Sequence, residues 1–228
     1  MENLGDQRWP ELDEQAATLL VPLGSTEQHG PHLPLDTDTR IAEAVARGTA
    51  AQLGPEVLLA PAVSYGAAGE HETFPGTVSI GTEGLRATLV ELGRSAGRWA
   101  RRLVFVNGHG GNTEALRDAV RLLRAEGRDV RWYGCVLPVG FARDAHAGRT
   151  ETSIMLALAP RTVRLDLAQA GNTQPLAELL PAMRARSVRA VSENGVLGDP
   201  SGASAEEGRA MLAALVEGCV AAVRAATC

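Results

Sequence analysis

The sequence predicts an α/β fold in which helices cover both faces of a mostly parallel sheet. Short apolar segments typical of buried strands alternate along the chain with longer segments of helical periodicity. The strand segments are apolar at nearly every position, which is typical of strands covered on both faces. Neither an internal repeat nor a linker is present, so we predict a single domain over residues 1–228.

The first strand and the first long helix are predicted near the N-terminus. After a short lead-in over residues 1–16, the segment TLLVPL at 18–23 is apolar throughout and is predicted to be a buried strand. A helix is predicted from Thr39 to Leu53, with Asp38 or Thr39 as its N-cap and a Gly-Pro pair ending it. Between the strand and the helix lies a loop that is rich in His and carboxylate residues.

The central region predicts two more strands and one helix. VLLAPAV at 57–63 is the second apolar strand, and a loop with four glycines follows at 64–81. Loops of this length inside a compact domain tend to be functional. Leucines at helical spacing predict a helix over 83–101, and LVFV at 103–106 is the third strand, which ends directly in the turn NGHGGN at 107–112.

The last part of the chain predicts four helices and one strand. A helix is predicted over residues 113–126, with Gly127 as its C-terminal cap. The segment DVRWYGCVL at 129–137 is predicted to be the fourth strand. Apolar periodicity predicts three further helices, at 150–158, 175–186 and 205–225.

Composition and charge narrow the classes of function. The net charge of −5 gives no reason to expect binding to nucleic acid or to an anionic membrane. The N-terminus has no apolar signal segment, and no apolar run approaches the length of a membrane span. Cys135, Cys219 and Cys228 are odd in number and fit no zinc spacing, which predicts reduced thiols in a cytoplasmic protein.

All five histidines lie in loops that contain glycine and follow predicted strands. In open α/β sheets, ligands bind beyond the carboxyl ends of the strands, so these loops are expected to meet in one crevice. Any one of the histidines has as much chance of a structural role as of a functional one, but the five together favour a site. They are His29, His32, His71, His109 and His146.

Carboxylates accompany these histidines in a pattern that predicts a metal centre. Divalent transition metals bind neutral imidazole and carboxylate, and this donor set suits Zn, Mn and Fe(II) alike. Three carboxylates and two imidazoles can hold two divalent ions that share a bridging carboxylate and a bridging water. Asp38, at the start of the helix, is placed to be the bridging carboxylate. The predicted metal ligands are Glu27, His29, Asp38, His109 and Glu151.

The remaining polar residues of these loops receive supporting roles. His146 is the imidazole left over near Glu151, and we predict that it is the catalytic proton carrier, which protonates the departing nitrogen. His32 and Asp36 either orient the metal ligands or hydrogen-bond within their loop. His71 is predicted to contact the substrate, the alternative being that it caps its own turn.

With these residues in place, the chain resembles the creatininase (creatinine amidohydrolase) family. The resemblance implies a three-layer α/β/α fold, a dinuclear metal centre, hydrolysis of C–N bonds in cyclic or linear amides, and assembly into hexamers or other homo-oligomers. The first and third of the matching segments are highly specific. The five matching segments, in chain order, are VPLGSTEQHGPHLPLDTD, GEHETFPGTVSIG, LVFVNGHGGN, HAGRTETS and GVLGDPSGASAEEG.

The chain departs from the family pattern at one position. Creatininase carries a Glu ligand of the second metal two residues after the His that corresponds to His109, and here that position is Gly111. The second metal therefore needs a carboxylate from elsewhere, and Glu151 is the predicted source.

The chain resembles one subgroup more closely, the creatininase-like peptidases of mycofactocin biosynthesis. The segments that carry this resemblance include LPLDTDTRIA, RRLVFVNGHGGN and DAHAGRTETS. The subgroup implies removal of a modified C-terminal Val-Tyr dipeptide from a ribosomal precursor peptide, by attack of a metal-bridging hydroxide on the amide. The alternatives are a small-molecule amidohydrolase acting on a lactam or formamide, and a binding module for metal or phosphate without catalysis.

Overall fold

A parallel sheet of five strands forms the centre of the protein in a computed structural model that describes residues 2–12, 17–141 and 144–225. The strand order is β1-β3-β2-β4-β5, and every neighbouring pair is parallel. The predicted α/β class with a parallel sheet is therefore confirmed. The strands are β1 Glu2–Asn3, β2 Thr18–Leu23, β3 Val57–Leu59, β4 Arg102–Asn107 and β5 Val130–Gly134.

Helices cover both faces of this sheet, as the apolar character of the strands requires. Successive strand residues point to opposite faces, so Leu20 and Val104 pack with α2, α5 and α7, whereas Leu19 and Leu103 pack with α3 and α4. The result is the three-layer α/β/α arrangement. The helices are α1 Trp9–Leu12, α2 Thr37–Leu53, α3 Gly81–Ala96, α4 Thr113–Ala125, α5 Arg149–Leu158, α6 Leu176–Ala185 and α7 Ala205–Arg224.

The structure differs from the predicted elements mainly at their ends. The lead-in contributes an edge strand, β1, that the sequence does not signal, and β3 is shorter than predicted because Pro61 has no N–H to donate to a sheet. Helix α2 begins at Thr37, so Asp38 lies inside its first turn and is not the cap. Helix α3 ends at Ala96, before the predicted end at 101.

Two thiols can be placed in this fold. Cys135 and Cys219 are free, as predicted, and Cys228 lies outside the described residues. Among the described residues, no helix combines the length and the apolar character needed to cross a bilayer.

Candidate metal centre

The predicted ligands meet where β2 and β4 end at their carboxyl termini. The loop after β2 folds back on itself, because the Glu27 N–H donates to the carbonyl of Leu35 at 3.0 Å. This places Glu27 and His29 over the start of α2, where Asp38 projects from the first turn. Glu27 and His29 are 0% exposed and Asp38 is 1% exposed, so the loop is a buried, fixed part of the structure.

The turn after β4 brings His109 against the same helix start. A Cβ atom at Gly108 would lie 2.4 Å from the carbonyl oxygen of Asp38, so only glycine allows this approach. Asn112 ties the turn to two other loops, since its Nδ2 donates to Gly24 O at 2.9 Å and its Oδ1 accepts from Ala67 N at 2.9 Å. These bonds fix the position of the His109 imidazole.

The third contribution comes from the segment before α5. His146 pairs with Leu197 through two backbone hydrogen bonds of 3.1 and 2.8 Å. The next residue, Ala147, has φ +52°, a left-handed conformation that a residue with a Cβ rarely adopts. In this conformation its N–H donates to Oε2 of Glu151 at 2.6 Å. Local strain therefore helps to orient the Glu151 carboxylate toward the cluster.

Asp38 lies between two imidazoles at the centre of the cluster. Its Oδ1 is 3.1 Å from Nε2 of His29, and its Oδ2 is 3.2 Å from Nδ1 of His109. Oε2 of Glu27 is 3.2 Å from Nε2 of His109, and Oε2 of Glu151 is 3.9 Å from Nε2 of His29. Residues that are distant in the sequence thus form one group of alternating carboxylates and imidazoles.

The chemistry of this group fits divalent cations. Within the described residues, nothing hydrogen-bonds to Oε1 or Oε2 of Glu27 or to Oδ2 of Asp38, although all three oxygens are buried. Buried carboxylate oxygens in this state need a cation or a proton. Three sets of donors, the members of each lying within 4.8 Å of one another, match the size of a metal shell: Glu27, Asp38 and His109; His29, His146 and Glu151; and Glu27, His71 and His146.

Without a metal, protons compensate part of the buried charge. Burial lowers the pKa of His29, but the neighbouring Asp38 carboxylate outweighs that effect and raises it to about 10. The same balance, set by Glu27 and Asp38, holds the pKa of His109 well above its ordinary value. Burial raises the pKa of Glu151 to about 7. Both imidazoles are positioned where a bound cation would replace their protons.

A glutamine that sequence reasoning missed connects the histidines. Nε2 of Gln28 lies 2.8 Å from Nδ1 of His71, 3.0 Å from Nε2 of His146 and 3.1 Å from Gly195 O. The backbone carbonyl of Gln28 lies 2.8 Å from Nε2 of His146. A carbonyl can only accept, so Nε2 of His146 carries hydrogen, and the two amide hydrogens of Gln28 go to His71 and Gly195. The search for His and carboxylate residues in the loops could not reveal this role, because Gln28 carries no charge.

This network determines which nitrogen of each histidine faces the cluster. His146 presents an unprotonated Nδ1, 3.7 Å from Oε1 of Glu27. His71 presents an Nε2–H, 3.4 Å from the same oxygen. Burial lowers the pKa of both residues, and the proximity of His29 and His71 lowers that of His146 further. His146 is therefore a neutral imidazole with a free lone pair directed into the cluster.

Of the other predicted residues, His32 and Asp36 lie outside the cluster and His71 lies within it. Nε2 of His32 is 2.9 Å from the hydroxyl of Thr152, so His32 anchors α5 next to Glu151. Asp36 does not orient a ligand: it accepts from Nε of Arg40 at 2.7 Å in a partly exposed ion pair. His71 is buried inside the cluster, and its predicted contact with the substrate remains a prediction.

Comparison with known proteins places this centre among enzymes. The family model described as creatinine amidohydrolase matches residues 5–223. The mycofactocin precursor peptide peptidase of Mycobacterium tuberculosis is 58% identical over 225 residues, which cover 95% of this chain and 88% of that protein. The creatinine amidohydrolase of Pseudomonas putida is 31% identical over 254 residues, covering 97% of this chain and 95% of that protein.

Solved structures extend the likeness to the fold. Two creatininase structures, one described as Zn-Zn type and the other as Mn, superpose on this chain with a TM-score of 0.79. Each is 30% identical in sequence, and the match covers 97% of this chain and 96% of that chain.

Proposed function

This chain belongs to the creatininase family and is a hydrolase of amide bonds, and from that premise we propose that it is a peptidase of mycofactocin biosynthesis. It releases the modified C-terminal Val-Tyr dipeptide from the precursor peptide. The observation that carries the proposal is the 58% identity over 95% of the chain to a mycofactocin precursor peptide peptidase, against 31% to a creatinine amidohydrolase.

A surface groove that begins one residue from the hydrogen-bond network of the cluster is wide enough for a peptide. An open groove of about 830 Å³ lies between residues 169–174 and 191–194. Its wall ends at Asn194. The next residue, Gly195, accepts a hydrogen bond at its carbonyl from the Gln28 amide, which lies beside His146. The side-chain amide of Gln169 lines it and can pair with an extended peptide backbone, whereas the amides of Asn172 and Asn194 hydrogen-bond within the wall itself, to Val191 O and Ala170 O. A lactam of a few atoms does not require such a groove.

The donor set supports two divalent ions per subunit, drawn from Zn, Fe(II) or Mn. Glu27 and His109 would hold one ion and His29 and Glu151 the other, with Asp38 available to both because its two oxygens face His29 and His109. Such ions would supply an acidified water molecule and would polarise the scissile carbonyl. His146 accepts a proton at Nδ1 and delivers it to the departing amine, while its Nε2–H stays anchored on the carbonyl of Gln28.

We also propose that the subunits assemble into a homo-oligomer, and the resemblance to the creatininase family favours a hexamer. Apolar side chains on the long loop and the adjoining segment support a contact surface. Tyr65 is 51% exposed and Val78 is 49% exposed, and Leu35 and Ile80 lie partly in solvent beside them.

Incubation of the wild-type protein with the modified precursor peptide tests this function. Mass spectrometry should detect a shortened peptide and the released dipeptide, and the reaction should stop when a chelator removes the metal. Creatinine and a formamide serve as parallel substrates. Turnover of either small amide without cleavage of the peptide would make the chain a small-molecule amidohydrolase. Stoichiometric binding without any product would make it a binding module.

A further inference from the structure

Glu70 lies beside the metal cluster although the sequence assigned it no role. It belongs to a short turn, Gly69–His71, in the long loop between β3 and α3. The turn is fixed on both sides, since Ala68 N donates to the hydroxyl of Ser79 at 3.0 Å and the buried His71 faces Glu27. Glu70 is itself partly buried.

Gly111 leaves the gap into which this carboxylate reaches. An ideal Cβ atom at position 111 would lie 2.9 Å from Oε1 of Glu70 and 2.4 Å from Nε2 of His109. It would also lie 2.4 Å from the carbonyl oxygen of Ala67, so a side chain at 111 and the observed loop position exclude each other. The missing side chain thus leaves a small space that both the Glu70 carboxylate and the His109 imidazole border.

The local bonding leaves Glu70 available for a cation. Within the described residues, the Glu70 carboxylate has neither a hydrogen bond nor an ion pair, and the nearby buried oxygens Oε1 and Oε2 of Glu27 have no hydrogen-bond partner either. Metal ions hold carboxylate oxygen and imidazole nitrogen at about 2.0–2.2 Å. Because Oε1 of Glu70 and Nε2 of His109 both lie within 2.9 Å of the Cβ position at 111, a modest rotation of the Glu70 side chain would let them bind one ion.

The charge of the site points the same way. Glu27, Asp38 and Glu151 supply three negative charges to a site that would hold two divalent ions, with four positive charges. A fourth carboxylate would neutralise the pair as long as the water between the ions keeps both protons, and buried charge is stable only when it is compensated. We propose that Glu70 is a ligand of the ion held by Glu27, Asp38 and His109. This inference rests on the metal-dependent function proposed above.

Metal binding, measured apart from activity, tests the proposal. Glu70→Gln and Glu70→Ala are compared with wild type and with Glu72→Gln, a matched control at an exposed position in the same loop. Chelated protein is dialysed against Zn²⁺ and analysed for bound metal, and Mn²⁺ is titrated with detection of free ion by electron paramagnetic resonance. The Glu70 variants should lose about one ion per chain or bind Mn²⁺ at least about tenfold more weakly, because even groups that only orient ligands cost that much.

The outcomes separate this inference from the proposed function. Wild-type stoichiometry and Mn²⁺ affinity in both Glu70 variants, matching the Glu72→Gln control, would overturn the role of Glu70 and leave the hydrolase intact. Wild-type protein that takes up neither Zn²⁺ nor Mn²⁺ would overturn the metal centre itself, and the role of Glu70 with it.

Discussion

Replacing His146 with alanine is expected to lower kcat for the precursor peptide about 100- to 10,000-fold while leaving the metal content unchanged. The Nε2–H of His146 is 2.8 Å from the carbonyl of Gln28, so Nδ1 is the nitrogen that can exchange a proton with the substrate. No other imidazole of the described cluster presents a free lone pair from this direction, since His71 faces Glu27 with an N–H. Steady-state kinetics with elemental analysis of the same samples measure both effects.

His32→Ala is the matched control for this substitution. His32 is also a buried histidine, but it hydrogen-bonds Thr152 outside the cluster. The variant should lose far less turnover than His146→Ala, because it loses a contact that anchors α5 and not a proton carrier. Loss of an ion from His146→Ala would instead identify His146 as a ligand, and a wild-type kcat would remove it from the mechanism.

Replacing Asp38 with asparagine should have the largest effect on metal content. Each oxygen of Asp38 faces a different imidazole, at 3.1 Å and 3.2 Å, so the substitution removes a charged ligand from both proposed ions at once. We expect at least one ion to be lost and kcat/KM to fall more than about 100-fold, beyond the effect of removing a group that only orients a ligand. Elemental analysis and peptide cleavage measure the two losses.

Asp36→Asn controls for this change at the same end of α2. Asp36 undergoes the same chemical substitution two residues earlier, yet its carboxylate pairs with Arg40 at the surface. An exposed ion pair of this kind contributes roughly 0–1 kcal/mol to stability, so the variant should keep its metal and its activity. Equal metal loss in both variants would show that the start of the helix, and not the Asp38 carboxylate, supports the site.

The sequence predicted the parts of the fold and site that depend on local pattern. Continuous apolar segments indicated the four longer strands, and the position of the histidines directly after strands indicated the edge where they meet. The contributions of His109 and Glu151 followed from the same rule. The order of strands, with β2 between β3 and β4, carries no local signal, because it depends on which segments pair across the sheet.

The residues that were missed act through distant partners. Gln28 is an uncharged residue between two predicted ligands, and its role becomes visible only when His71, His146 and Gly195 surround it. The proposed role of Glu70 depends on its position beside the space left by Gly111, which the sequence does not reveal. Asp36 was expected either to orient a metal ligand or to hydrogen-bond within its loop, but its side chain pairs with Arg40 one helical turn further on.

Metal content and peptide cleavage, measured together on the wild-type protein, test the central claim most directly. The carboxylate–imidazole cluster predicts about two transition-metal ions per chain, loss of dipeptide release when a chelator removes them, and recovery when Zn²⁺, Mn²⁺ or Fe²⁺ is restored. Protein that contains only trace metal and still releases the dipeptide at its full rate would contradict the account.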